Sequence, residues 1–182
     1  MNKLPSIETS IPLVEEILGE YKAQMSKAYM GYRNHVYRML HFCFALHRVE
    51  GDERKKFIIA ACFHDLGLFT HDTLDYLPPS RELAAEYLKD KKKEDWVEEV
   101  GLMIDMHHKI TEYDGRYRLV EIFRKADLAD FSLGLFKGEI PGEFVYEVKE
   151  AFANAGFHKF LLQFGTQWFF KHPFNPLPIF KW

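Results

Sequence analysis

Ala60-Ala61-Cys62-Phe63-His64-Asp65-Leu66-Gly67 is the stretch on which the reading of this chain turns. The run leading into it, Phe57 to Phe63, contains no polar residue. It predicts a helix buried on most of its surface, within a helix expected from about Glu53 to Asp65. Two residues that bind metal well, His64 and Asp65, stand at its end, and Gly67 is expected to let the chain turn there. Burying an unpaired carboxylate is costly unless a cation or hydrogen-bond donors satisfy it. A divalent metal would satisfy both side chains together. The plain alternative for the dipeptide alone is a C-capping histidine beside a turn aspartate, so the decision falls to the rest of the chain.

Working outward, helical periodicity recurs on both sides. Residues 11 to 27 read as a helix with Ser10 as N-cap and Pro12 in the first turn. Met30-Gly31 is expected to weaken the helix there. A second helix follows from about Tyr32 to Val49, with Val36, Met39, Leu40, Cys43, Phe44 and Leu46 inward and His35 at the edge of that face. Thr70 to Pro79 reads as a loop, because Pro78-Pro79 should forbid a helix across it, and Ser80 is expected to cap the next helix. Further helices are expected at about Asp95 to Lys109, ending in His107-His108, and at about Arg118 to Ser132, with Asp127 among apolar residues. Two more follow, at about Gly142 to Asn154 and His158 to Lys171. The proline-rich tail from Pro173 is expected to be extended and to pack its Phe174, Leu177, Ile179, Phe180 and Trp182 on the body. No period-2 strand pattern and no internal repeat occurs, so the class is all-α.

Composition narrows the function. A chain of 182 residues is expected to form one domain, and 47% hydrophobic residues supply a substantial core. A net charge of -3 argues against a nucleic-acid polymer as partner. Cys43 and Cys62 both lie in apolar runs and read as buried thiols, which suits a reducing, cytoplasmic setting. Met1 to Ser10 has no signal-peptide pattern, and no apolar run reaches the ~18 residues of a membrane span.

Four residues then combine. His35, His64, Asp65 and Asp127 each stand at an inward position or a helix end, and two imidazoles with two carboxylates suit Zn, Mn, Fe or Ni. Taken singly, His35 could be a core histidine bonded to a carbonyl, and Asp127 could pair with Arg124 or Lys125. One shared metal accounts for all four together.

In these residues the chain resembles the HD-domain metal-dependent phosphohydrolases. The resemblance rests on Asn34-His35-Val36-Tyr37-Arg38, Ala61-Cys62-Phe63-His64-Asp65-Leu66-Gly67 and Lys125-Ala126-Asp127-Leu128-Ala129-Asp130, and covers roughly residues 30 to 132. It implies an all-α helical bundle with a C-terminal helical extension over about 140 to 182. It also implies one divalent metal (Zn, Mn, Fe, Ni or Mg) on His35, His64, Asp65 and Asp127. The implied activity is hydrolysis of a phosphate ester of a small molecule or nucleotide by metal-activated water. Asp65, His107 and His108 are the expected catalytic groups, and Arg33, Arg38, Arg81 and Lys109 the expected phosphate ligands.

Departures from the family pattern bear on these expectations. His107-His108 is similar to the cyclic-dinucleotide phosphodiesterase branch, yet Leu68 stands where that branch has a lysine. Ser80-Arg81-Glu82 replaces the usual second-metal histidine, so one metal is expected before two. The apolar Leu66-Gly67-Leu68-Phe69 suits a small uncharged substrate as well as a nucleotide. Hydration of a small nitrile and a non-catalytic metal-containing binding module therefore stay open. Few basic residues around the site would favour hydration. A homodimer stays open as well.

Overall fold

The computed structural model describes residues 4–175 and 178–179. It is helical, with no strand among the described residues. The elements are α1 (Pro12–Glu20), α2 (Lys22–Met25), α3 (Tyr29–Leu46), α4 (Gly51–Phe63), α5 (Gly67–Thr70), α6 (Leu77–Asp90), α7 (Val97–Met106), α8 (Arg118–Phe131), α9 (Gly142–Ala151) and α10 (Phe157–Lys171). No helix among the described residues is long and apolar enough to cross a membrane.

Helix α4 is the axis of the bundle. Its first turn carries Asp52 and Glu53, where acidic side chains meet the positive end of the helix dipole. From Phe57 to Phe63 every residue is buried, because α1, α3, α6, α7 and α8 all pack against it. A helix covered on all sides has no polar stripe, which is why this run carries no charge. Helix α3 lies along α8, and α7 bridges α6 and α8. His35 within α3, His64 and His107 just past the ends of α4 and α7, and Asp127 within α8 thereby meet on one side of the core.

Several local expectations are corrected. The first predicted helix is divided at Tyr21, and its N-cap is Ile11, with no side-chain cap from Ser10. Helix α3 starts at Tyr29 and runs straight through Met30-Gly31. Pro78 and Pro79 sit inside the first turn of α6, where the backbone N–H groups have no intrahelical acceptor and a proline removes nothing. Ser80 is therefore interior to the helix, and its Oγ accepts the Gly67 N–H at 2.9 Å. Gly67 does not terminate a helix in a left-handed turn; it opens α5. A Cβ there would lie 2.5 Å from the Tyr76 carbonyl oxygen, so glycine is required for close packing.

Only Phe157 of α10 is fully buried; the helix lies over the side of the core where the histidines gather. Of the tail, Ile179 is buried with Leu68, Leu74, Tyr76 and Leu77, while Phe174 is 101% exposed. Leu177, Phe180 and Trp182 lie outside the described residues. Cys43 and Cys62 are free and buried, and burial pushes both thiols up, which leaves them unreactive.

Candidate metal centre

The site is assembled from two helix interiors and from the turns that follow two other helices. His35 comes from the middle of α3, His64 and Asp65 from the turn that stops α4, His107 and His108 from the turn after α7, and Asp127 from α8. His35, His64, Asp65, His107 and Asp127 are each at most 4% exposed.

The tautomers of three histidines are fixed by what their Nδ1 atoms meet. His64 Nδ1 donates to Ala61 O at 2.8 Å, and His107 Nδ1 donates to Ile104 O at 2.7 Å. His35 Nδ1 donates to Asp130 Oδ2 at 2.6 Å. In the neutral rings the Nε2 atoms are then bare lone pairs. They converge: His35 Nε2 lies 3.0 Å from His64 Nε2. Two acceptors at that distance repel unless a proton or a cation stands between them.

The carboxylates face the same space. Asp127 Oδ1 is 3.6 Å from His35 Nε2 and 3.8 Å from His64 Nε2. Asp65 Oδ2 is 3.3 Å from His64 Nε2, while its Oδ1 is 3.4 Å from His107 Nε2. Asp65 Oδ1 and His107 Nε2 are buried with no hydrogen-bond partner among the described residues. Orphaned buried polar atoms are rare, and at a histidine–carboxylate cluster a metal ion is the group that satisfies them. The ligand atoms of His35, His64 and Asp127 lie within 4.8 Å of one another, as do those of His64, Asp65 and His107, and those of His107, His108 and Asp127. The donor set fits a divalent cation of the zinc, manganese or iron type.

Metal-free, the cluster holds protons instead. Burial would lower the His64 imidazole, but the Asp65 and Asp127 carboxylates beside it lift it to about 9. Burial would raise the Asp65 carboxyl, yet His64 and His107 hold it well below the usual carboxylate range. Burial raises Asp127. His108 is pushed well down by burial and by its neighbour His107, and the Tyr76 phenol is pushed up by burial, so the two face each other neutral, 2.6 Å apart.

The expected phosphate ligands stand elsewhere. Arg33 pairs with Glu15 at 2.6 Å, Arg81 with Asp105, and Lys109 reaches Thr111. Arg38 is buried and committed: it grips Asp130 with Nε and Nη2, at 2.5 and 2.8 Å, and donates to the Phe152 and Ala153 carbonyls. None of the four lines the pocket above the cluster, a cavity of about 560 Å³ walled chiefly by aromatic and aliphatic side chains.

Four groups at the site carry no role in the sequence reading. Asp130 had a signal, since its i+3 spacing from Asp127 puts both on one face of α8. Tyr76 had none, being inside a segment that reads as loop. Phe157 stacks on the His35 ring at 4.5 Å, and His158 lines the pocket; both come from α10, where nothing in the local pattern marks them.

The chain matches the family model described as HD domain over residues 32–131. No curated protein and no solved structure matches it significantly. The matched segment contains His35, His64, His107, His108, Asp65, Asp127 and Asp130, and leaves Phe157 and His158 outside. With this match over more than half of its length, the chain belongs to the HD domain family.

Proposed function

We propose that the chain is a metal-dependent hydrolase that adds water to a small molecule at the His/Asp cluster. The carrying observation is the pair of buried atoms without a hydrogen-bond partner among the described residues, Asp65 Oδ1 and His107 Nε2, in a cluster whose Asp65 lines a pocket of about 560 Å³. A bound divalent cation supplies Lewis acidity, which lowers the pKa of a water and draws charge from a substrate oxygen.

His35, His64, Asp65 and Asp127 are the proposed ligands. Asp130 orients His35 from behind, the arrangement by which an outer carboxylate fixes a ligating imidazole. Asp65 and Asp127 each turn one oxygen towards His35 and His64 and the other towards His107 or His108. A second cation would therefore find Asp65 Oδ1, His107 and His108 on the far side of the same carboxylates. Asp65 and Asp127, whose carboxylates face the cluster, are the candidates to take a proton from the attacking water. For a phosphate ester, the water oxygen bonds to phosphorus, the ester P–O bond breaks, and the alcohol leaves with a proton. Tyr76 and His108, on the pocket wall, are placed to hydrogen-bond the substrate's polar end.

Family membership favours a phosphate ester. Hydration of a nitrile at the same centre is the second reading, favoured because no lysine or arginine is among the described residues that line the pocket. Elemental analysis of the purified chain, followed by assay of nucleotides, alkyl and aryl phosphates and small nitriles, separates them. Phosphate release that a chelator abolishes supports hydrolysis. Amide formation from nitriles alone supports hydration. A metal-free protein that no divalent ion stabilises would sink both.

A further inference from the structure

The pocket is long, and its polarity runs one way. At the closed end stand His35, Asp65 and Asp127, each at most 4% exposed. At the open end stand Phe169 and Phe170, which are 52% and 78% exposed. One wall is α10, which lines the cavity with two adjacent stripes. Phe157, Leu161, Gly165 and Phe169 recur at every fourth residue and all line the cavity. At a rise of 1.5 Å per residue, that stripe extends the cavity about 18 Å along the helix.

Polar groups along this wall are already engaged. The Thr166 hydroxyl donates to Leu162 O at 2.7 Å. The ring nitrogens of His158 face the Asn154 side-chain amide and the Phe131 carbonyl. Away from the cluster the cavity therefore asks for apolar surface only. Within the bulky stripe Gly165 is a gap: a Cβ built there meets nothing within 4 Å.

We infer that the substrate is a single-tailed amphiphile whose polar, reacting head sits at the His/Asp cluster and whose slender apolar tail lies along α10 past Gly165. This rests on the hydrolase reading above for the head and adds the class of molecule that enters. Gly165 acts as a specificity residue that sets the length of tail admitted. Among the described residues the lining holds no lysine or arginine, which agrees, since a molecule with several phosphates would find no counter-charge on them.

The test uses n-alkyl phosphates from ethyl to decyl with the full chain, loaded with the divalent ion found by elemental analysis. Binding is read by calorimetry and turnover by phosphate release. Each added methylene should raise affinity and kcat/KM about three- to fourfold until the tail clears the pocket. Gly165→Leu should lower the octyl-to-ethyl ratio of both by roughly tenfold or more, the increment of two or three methylenes. Gly165→Ala should fall between. Both substitutions favour the helix, so the variants fold, and circular dichroism checks it. Affinity that is flat with chain length overturns the inference, as does Gly165→Leu weakening ethyl and octyl alike. If phosphate is still released in either case, the hydrolase reading stands without it. Affinity that climbs with length while no member is hydrolysed keeps the tail assignment and removes the hydrolase reading.

Discussion

His35 Nδ1 lies 2.6 Å from Asp130 Oδ2, and the same carboxylate is held by the buried guanidinium of Arg38. Arg38 and His35 together hold Asp130 down at about 2, against the burial that would raise it. The carboxylate stays ionised, keeps the His35 proton on Nδ1 and turns the Nε2 lone pair towards the cluster.

Asp130→Asn is expected to lower divalent-metal affinity by about 10- to 100-fold, the usual cost of losing an outer-shell carboxylate. It should also lower stability by about 3–5 kcal/mol, since Arg38 becomes a buried charge with no counter-ion. Competition with a chromophoric chelator reads the first effect and urea unfolding the second. Unchanged affinity in a folded variant would remove Asp130 from the centre.

Protons and metal compete for the same lone pairs, and the sign can be worked out. The His64 pKa is raised from 6.5 to about 9 in the folded, metal-free chain. A raised basic group contributes stability fully below its unfolded pKa and loses it as pH rises through the folded one. The metal-free chain should thus lose stability between about pH 6.5 and pH 9, while metal affinity climbs over the same window. Urea melts in chelator across that range, with metal titrations at each pH, check both trends. Affinity that falls with pH would contradict the assignment of His64 as a ligand.

Two histidines side by side should have separable effects. His107 is 2% exposed and faces Asp65, whereas His108 meets Tyr76 and lines the pocket. His107→Gln should weaken a second equivalent of metal at least about tenfold, by analogy with the loss of supporting groups at metal sites. His108→Gln should act chiefly on KM and kcat for the polar head. Metal stoichiometry and steady-state kinetics measured on both variants decide it; full turnover and full metal content in both would remove the pair from the site's chemistry.

Gly67→Ala tests the packing that positions His64 and Asp65. The new Cβ would stand 2.5 Å from Tyr76 O and 3.0 Å from Ser80 Oγ. Overpacking of this kind costs about 1–3 kcal/mol, and for a chain of this size Tm falls about 2–4 °C per kcal/mol. A thermal melt within one degree of the parent would show that α6 gives way freely.

The helical class and the convergence of His35, His64, Asp65 and Asp127 were legible because burial leaves a signature in sequence. Phe57 to Phe63 has no polar stripe, and charged or ligating residues at the end of such a run are conspicuous. Asp130 was half legible, since spacing puts it beside Asp127 but cannot reveal a bond to α3. Pro78-Pro79 misled because proline disfavours a helix interior and is tolerated in its first turn, and only the position of Leu77 at the start of α6 separates the cases. The basic residues misled because a guanidinium carries no mark of whom it will pair with. Arg38 turned inward to Asp130, and Arg33 and Arg81 found acids on neighbouring helices.

Arg38 also governs how the molecule can be divided. Its Nη1 donates to Phe152 O at 3.0 Å and Ala153 O at 3.3 Å, both beyond residue 131, where the family match ends. Excising residues 1–131 would strip those acceptors from a guanidinium that has no route to solvent, and would remove Phe157 from the face of His35. The segment that carries every proposed ligand is thus expected to need the chain beyond residue 131 for its stability. Any transplant, swap or minimised version of this metal centre has to carry the chain at least through Phe157, because the carbonyls that anchor its outer carboxylate's partner are supplied from the far end of α9.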